Sequence, residues 1–135
     1  MMGSWKSTVG KKLSKILGMK FVDTDDALCE LTKLNMTEIF DQYGEKKFRE
    51  MESSLFIEIN KVKNQIISTG GGMTILEKNQ ITLNQNGTTI LLQAQPETIS
   101  KRIHNFTKRP TLNKNKDLLL QLKEIWKKRK KSYYD

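Results

Sequence analysis

Short β-prone runs alternate with amphipathic helical patterns along this chain, and this alternation limits the possible folds more than any other feature of the sequence. The β-prone runs are residues 20–23, 65–69 and 88–93, and the last (TTILLQ) is the clearest candidate for a buried strand. Strands separated by helices pair in parallel through crossover connections. We therefore predict a layered α/β fold with a parallel sheet, although three strands are few for this class.

Apolar residues at helical spacing fill the segments between these runs. The first helix should end at Gly18, and Asn35 with Glu38 has the spacing of a capping box that starts another. Helices are predicted over residues 6–17, 28–34, 35–43, 45–61 and 75–83, from residue 96, and over 118–131. No repeat or low-complexity linker interrupts the pattern, so we expect a single domain over residues 1–135.

Composition removes several classes of function. Cys29 and His104 are the only residues of their types, so an intramolecular disulfide, a zinc cluster and a Cys/His or serine-protease pair are excluded. No run approaches the ~20 apolar residues of a membrane span, and the N-terminus lacks a secretory pattern, so we expect a monomeric cytoplasmic protein. The net charge of +9 favours a polyanionic partner, whether nucleic acid, an acidic membrane surface or a phosphorylated metabolite.

A lysine and two hydroxyl residues open the first predicted helix. In phosphate-binding loops, backbone N–H groups at a helix N-terminus surround the phosphates, a lysine adds charge, and the next hydroxyl binds magnesium. Lys6-Ser7-Thr8 matches the end of that motif, but Trp5 occupies the position of its glycine. By itself this segment is equally a capped helix start with a chance lysine.

Two further groups follow predicted strands, where ligands bind in open α/β sheets. Asp23 and Asp25 could hold a metal and accept a hydroxyl proton, or could form a solvated turn and helix cap. Gly70, Gly71 and Gly72 could let the backbone approach a ligand, or could form a flexible turn.

Arginines form the last group, because the planar guanidinium suits carboxylates and phosphates. Arg49 could instead make a surface ion pair with Glu52 at i+3, and Arg109 and Arg129 could be surface charges. The basic run at residues 127–131 permits a nucleic-acid patch, although few aromatic residues lie near it to stack on bases.

The order and spacing of these groups, taken together, resemble those of shikimate kinase over nearly the whole chain. The matching elements are Lys6–Gly10, Phe21–Asp25, Ile39–Phe40, Gly44–Glu45, Phe48–Arg49, Glu52, Gly70–Gly72, Arg102, Arg109–Pro110, Arg129 and Tyr133. The triple glycine combined with the Asp-Thr-Asp and Phe-Arg elements is specific to that family among P-loop kinases. The resemblance implies a three-layer P-loop kinase-like fold and transfer of the γ-phosphoryl group of ATP to the 3-hydroxyl of shikimate, in aromatic amino-acid biosynthesis.

The resemblance also implies roles for individual residues. Lys6, Asp25 and Arg109 would be catalytic. Shikimate would be bound by Asp25, Arg49, Gly70, Gly71, Gly72 and Arg129. The nucleotide would be bound by Gly3, Ser4, Lys6, Ser7, Thr8, Arg102 and Arg109, and Mg²⁺ by Ser7 with Asp23 nearby. A lid over about residues 105–116 would exclude water.

Departures from the family pattern lead us to expect impaired catalysis. The Trp5 indole should intrude where phosphate lies, and a positive φ at this position should add ~1–2 kcal/mol of strain. The family's first strand, central in a five-stranded sheet, and its last strand are expected to be missing, leaving a gap and unpaired strand edges. The alternatives are a non-catalytic shikimate-binding relative and a basic nucleic-acid-binding protein.

Overall fold

Two parallel strands form the sheet in the computed structural model, which describes residues 1–85, 87–104, 106 and 109–134. Strand β1 spans Lys20–Asp23 and β2 spans Gln65–Ser68. They pair in register, from Lys20 opposite Gln65 to Asp23 opposite Ser68. The predicted α/β class with a parallel sheet is confirmed, and the carboxyl ends of both strands lie at one edge.

Helices surround this small sheet. Their bounds are α1 (Lys6–Leu17), α2 (Thr24–Thr32), α3 (Met36–Asn60), α4 (Glu77–Gln85), α5 (Pro96–Arg102) and α6 (Leu118–Tyr134), with a 3-10 turn at Met73–Ile75 before α4. Local signals fix several ends. Gly18 closes α1 at φ 64°, and Asn35 and Glu38 form the predicted capping box. Gly44, at φ 73° and ψ 169°, interrupts α3 where the sequence indicates a helix end.

The third predicted strand is wrong. Residues 88–93 form no strand, and the Ile90 and Leu91 side chains are 65% and 40% exposed. Asn86 of the predicted turn before it lies outside the described residues. A β-prone run becomes a strand only when another strand supplies its hydrogen-bond partners. Here the run is not paired with the sheet, and Leu91 lines a groove of about 410 Å³ together with Ile66 and Ile67 of β2.

The same groove explains the incomplete burial of α1. Val9 and Leu13 line it, and Val9 is 42% exposed, although both lie on the apolar face of the helix. Along its other edge, β2 has no strand partner among the described residues. The structure thus contains a groove beside β2, whereas the sequence led us to expect a gap in the core without indicating its position.

Two apolar clusters hold the helices together. One joins α5 and α6 through Ile99, Ile103 and Leu122, and the other joins α2 and α3 through Leu28, Ile39 and Phe48. The glycine segment that follows β2 lies between the helices of the two clusters. No helix in the described part of the chain is long and apolar enough to cross a membrane.

Candidate active site

The segment before α1 folds back on itself. Lys6 Nζ and Ser4 Oγ both donate to the Met1 carbonyl oxygen, at 2.9 and 2.8 Å. Burial lowers the pKa of Lys6, an effect partly opposed by the carboxylates of Asp25 and Asp23. The lysine ammonium therefore lies in the field of the two carboxylates that follow β1.

Ser7 connects the first turn of α1 to both strands. Its hydroxyl donates to Asp23 Oδ2 at 2.5 Å and lies 3.3 Å from the Ser68 hydroxyl. Asp23 also caps α2, because its Oδ1 accepts the backbone N–H of Asp25 at 3.0 Å. The helix-cap interpretation of Asp23 is thus correct, and one oxygen of the same carboxylate still reaches Ser7. Thr8 is exposed on the first turn of α1.

Asp25 is partly buried in the first turn of α2. Burial, followed by the carboxylates of Glu52 and Asp23, raises its pKa from 3.8 to about 6, and Lys6 partly opposes this shift. A carboxyl group with this pKa exchanges its proton close to neutral pH. Such a group can accept a proton from a bound hydroxyl.

Arg49 and Glu52 lie one turn apart on α3 and are paired away from solvent. Arg49 Nη1 donates to Glu52 Oε2 at 2.8 Å, with the two side chains 13% and 3% exposed. The surface-pair interpretation is therefore wrong, because α3 turns this face toward the glycine segment rather than toward water. Arg49 Nε and Glu52 Oε1 are both buried without a hydrogen-bond partner in the described part of the chain.

The three glycines form the wall opposite this pair. A Cβ atom on Gly70 would collide with the carboxylates of Glu52 and Asp25, and one on Gly72 would lie 2.5 Å from Arg49 Nη1. Thr24 Oγ1 accepts the Gly70 N–H at 2.9 Å in the interior. The glycines therefore allow the backbone to lie close to charged side chains, and the interpretation as a merely flexible turn is wrong.

Helix α6 closes the site through its final turns. Arg129 Nη1 and the Tyr133 hydroxyl donate to the Gly71 carbonyl oxygen, at 3.2 and 2.5 Å. Burial raises the pKa of Tyr133. In contrast, the lysines of the basic run 127–131 point away from the site and are exposed, as a solvated helix face would be.

Part of the predicted lid lies beside the glycines and Arg129. Asn105, Thr107 and Lys108 of this segment lie outside the described residues. Arg109 begins a turn in which its carbonyl oxygen accepts the Leu112 N–H at 2.9 Å. Burial lowers the pKa of Arg109 and the carboxylate of Asp25 opposes this effect, so the two side chains are electrostatically coupled.

These elements line one small, partly open cavity of about 60 Å³. Of the residues predicted to bind shikimate or act in catalysis, the cavity is lined by Asp25, Arg49, Gly70, Gly71, Gly72, Arg109 and Arg129. Glu52 is not among the site residues that the sequence predicts, and the only signal for it there is its i+3 spacing from Arg49. Met2, Met36, Phe40 and Phe48 also line the cavity, and apolar residues of these types carry no signal that separates a site wall from the core.

The remaining predicted nucleotide-site residues lie around the loop before α1. Arg102, at the end of α5, donates from Nη1 to the Gly3 carbonyl oxygen at 3.1 Å. The Arg102 guanidinium carbon also lies 4.2 Å from the centre of the Trp5 ring. Trp5 lines neither the 60 Å³ cavity nor the 410 Å³ groove.

No cluster of three or more His, Cys, Asp or Glu side chains able to hold a metal occurs within the described ranges. The Ser7 hydroxyl and the Asp23 carboxylate are nevertheless an oxygen pair that includes one carboxylate. Mg²⁺ is commonly held by one or two carboxylates together with water and substrate phosphates, so this donor set fits that ion.

Comparison with known proteins identifies the family. The family model described as shikimate kinase matches residues 2–135. The chain belongs to the shikimate kinase family. The predicted family resemblance is therefore confirmed.

Individual relatives agree with this assignment. The shikimate kinase of Caldanaerobacter subterraneus subsp. tengcongensis is 40% identical over 111 residues, which are 82% of this chain and 65% of that protein. The shikimate kinase of Persephonella marina is 39% identical over 98% of this chain and 79% of its own length. The chain thus spans just under two thirds of the first relative and somewhat more of the second.

Solved structures of shikimate kinases share the fold. The shikimate kinase from Acinetobacter baumannii in complex with shikimate matches with a TM-score of 0.94 and 30% identity, over 98% of this chain and 74% of that one. The enzyme from Bacteroides thetaiotaomicron matches with a TM-score of 0.89 and 31% identity, over 98% of this chain and 77% of that one.

Proposed function

We propose that this member of the shikimate kinase family transfers the γ-phosphoryl group of ATP to the 3-hydroxyl of shikimate. The observation that carries the proposal is the convergence of Asp25, Arg49, Arg109, Arg129 and the glycines on one small cavity. Phosphoryl transfer requires mainly alignment and positive charge around the moving group. Asp25 is the proposed proton acceptor. Arg49 and Arg129 would bind the carboxylate of the substrate, and Arg109 would stabilise the transferred phosphoryl group.

The buried groups without partners match a hydroxylated acid. Within the described part of the chain, the donor Arg49 Nε and the acceptor Glu52 Oε1 have no hydrogen-bond partner, and both belong to residues that line the cavity. Unpaired buried polar groups are costly, so a ligand that pairs them gains affinity. In our proposal Arg49 and Arg129 bind the shikimate carboxylate, and a shikimate hydroxyl donates to Glu52.

Asp25 is the proposed acceptor of the proton that leaves the 3-hydroxyl. Its pKa of about 6, raised chiefly by burial, leaves it mostly ionised at pH 7 while keeping it basic enough to hold the proton. Lys6 and Arg109 both interact electrostatically with Asp25 and would stabilise the negative charge that develops around the transferred group.

The donor nucleotide is proposed to lie at the start of α1. Backbone N–H groups of Gly3, Ser4 and the first turn would face its phosphates, with Arg102 beside the nucleotide. Ser7 and Asp23 would hold Mg²⁺, which neutralises phosphate charge when it is bound. Residues 109–116 are proposed to belong to a lid that limits the access of water.

A second candidate is a protein that binds shikimate without catalysis. It is favoured by Trp5, which occupies a backbone position with φ 65°, and by Lys6 Nζ, which already donates to the Met1 carbonyl oxygen. Both features would weaken nucleotide binding at the start of α1, and neither residue lines the 60 Å³ cavity. Calorimetric titration with each ligand separates the two candidates, since the second predicts shikimate binding without ATP binding.

A coupled assay of ADP release in the presence of shikimate tests the proposed function. We expect shikimate-dependent turnover below the ~1–100 s⁻¹ usual for kinases, because Trp5 departs from the family pattern before the lysine of the phosphate-binding loop. The D25N variant should abolish turnover, whereas D26N, at the exposed neighbouring position, should retain it. Equal activity of wild type and D25N would remove Asp25 from the mechanism, and ADP release that ignores shikimate would contradict the proposed acceptor.

A further inference from the structure

Ser53 and Asn79 form a hydrogen bond in the interior, outside the candidate site. The Ser53 hydroxyl donates to Asn79 Oδ1 at 2.6 Å, and the two residues are 0% and 1% exposed. Ser53 belongs to α3 and Asn79 to α4, and neither lines the 60 Å³ cavity. Polar side chains buried this deeply require hydrogen-bond partners, so the pair fixes the position of α4 relative to α3.

Asn79 also holds the turn that follows the three glycines. Its Nδ2 donates to the carbonyl oxygen of Met73 at 2.9 Å, in the same buried region. The Met73 N–H in turn donates to the Gly70 carbonyl oxygen at 3.2 Å. A continuous path of hydrogen bonds therefore leads from Ser53 on α3, through the Asn79 side chain, to the backbone of the glycine segment.

The same helix α3 carries the charged groups that face those glycines. Ser53 directly follows Glu52, and Arg49 lies about one turn earlier. The backbone at Gly70 and Gly72 lies so close to the Glu52 carboxylate and the Arg49 guanidinium that a Cβ atom would collide with them. Because a binding site works only when its groups are held within about 0.5 Å of the productive geometry, a small shift of either wall should alter binding.

We propose that Ser53 and Asn79 are positioning residues for shikimate. Their hydrogen bond sets the distance between the glycine backbone and the Arg49–Glu52 pair, and thereby sets the affinity of the cavity for its ligand. Neither side chain lines the cavity, so both act through the backbone that they hold. This inference rests on the proposed function for the identity of the ligand, and it extends that site to two residues with no other role in it.

Calorimetric titration of the full chain with shikimate tests the role of the bond. S53A removes only the hydroxyl and should lower the affinity for shikimate about tenfold, because the glycine segment is no longer held in place. Ser54 is the exposed neighbour on α3, so S54A is the matched control and should bind like wild type.

A second control separates positioning from loss of stability. Ile99 is fully buried in the cluster between α5 and α6 and does not line the cavity, so I99V should lower the melting temperature and leave the shikimate affinity unchanged. A purely structural role of Ser53 would make S53A behave like I99V once both proteins are folded at the temperature of the titration.

Asn79 provides an independent variant. N79A should weaken shikimate binding at least as much as S53A, and the double variant should bind no more weakly than N79A, because the two substitutions remove one shared bond. Hydrogen exchange of the Met73 amide should be faster in S53A than in I99V, since that amide bonds within the held turn. If N79A fails to fold, S53A with its two controls still decides the question.

Several results would overturn the inference. Shikimate affinity of S53A equal to that of wild type, or lowered no more than in I99V, would show that the bond only stabilises the fold. Additive losses in S53A and N79A would show that the residues act separately, and absence of shikimate binding to wild type would end the proposal. Failure of the proposed function is distinguishable, because normal shikimate binding without ADP release contradicts that function and leaves this inference intact.

Discussion

Arg49 and Glu52 form an ion pair at 2.8 Å inside the wall of the candidate site, and each keeps one buried polar atom without a partner among the described residues. Two charges taken out of water stabilise a fold only through their mutual attraction and additional hydrogen bonds. The pair therefore affects both the packing of α3 and the binding of a polar ligand, because such a ligand could pair the two remaining atoms.

Removing the charge of Glu52 should destabilise the protein strongly. E52Q keeps the side-chain size but leaves the buried Arg49 guanidinium without its closest carboxylate, so the free energy of unfolding should fall by about 3 kcal/mol in urea denaturation. Glu50 is the control, because its pair with Lys47 is exposed and spans 3.4 Å. E50Q should change stability by less than about 1 kcal/mol. Equal changes in the free energy of unfolding for the two variants would contradict the importance of the burial of Glu52.

The titration of Asp25 should affect activity and stability in opposite directions. Its folded pKa of about 6 lies above the ordinary 3.8, so the stability that it confers is present below about pH 4 and is lost as the pH rises through 6. D25N should therefore unfold less readily than wild type at pH 7.5, by about 2–3 kcal/mol, and lose this advantage near pH 4. Denaturation curves of D25N and wild type at several pH values measure this difference in the free energy of unfolding. A constant difference across that range would refute the shifted pKa.

Adding one methyl group to the glycine wall should impair shikimate binding. In G72A the new Cβ would lie 2.5 Å from Arg49 Nη1, and the buried ion pair restricts the retreat of that guanidinium. We expect calorimetry to show an affinity for shikimate that is lower by about 10- to 100-fold. A Cβ on Gly87 would have no atom within 4 Å, so G87A is the matched control. Unchanged shikimate binding by G72A would show that the Arg49 side chain can move away from the new Cβ without loss of affinity.

Tyr133 should support the site through a single hydroxyl. Y133F removes the donor that bonds to the Gly71 carbonyl oxygen at 2.5 Å, which should cost about 1 kcal/mol of stability and weaken shikimate binding. Tyr134, the exposed neighbour, donates to Gln93 Oε1, and Y134F should change stability by less than about 0.5 kcal/mol. Chemical denaturation and calorimetry measure the two effects. Indistinguishable variants would contradict the buried role of Tyr133.

The apolar run after α4 should contribute little to stability, despite its sequence. Ile90 is 65% exposed whereas Ile99 is fully buried, so I90A should change the free energy of unfolding by less than about 0.5 kcal/mol and I99A should lower it by about 2–5 kcal/mol. Urea denaturation of both variants decides. A large cost for I90A would indicate that residues 88–93 are packed in solution.

The sequence by itself determined the local elements and the family. Helix ends at Gly18 and Asn35, and the break at Gly44, follow from backbone conformations and capping bonds that involve only neighbouring residues. The order and spacing of charged and glycine residues along the chain indicated the shikimate kinase family, and both are visible in the sequence alone. None of these inferences required knowledge of what packs against what.

Only the tertiary structure decided the features that depend on distant partners. The run at residues 88–93 has strong β propensity but forms no strand, because hydrogen-bond partners must come from a neighbouring strand and a groove lies there instead. Glu52 carries the spacing of a surface ion pair but is buried, because the glycine segment packs over that face of α3. Periodicity encodes which residues share a face, whereas burial and pairing are set by whatever the rest of the chain brings to that face.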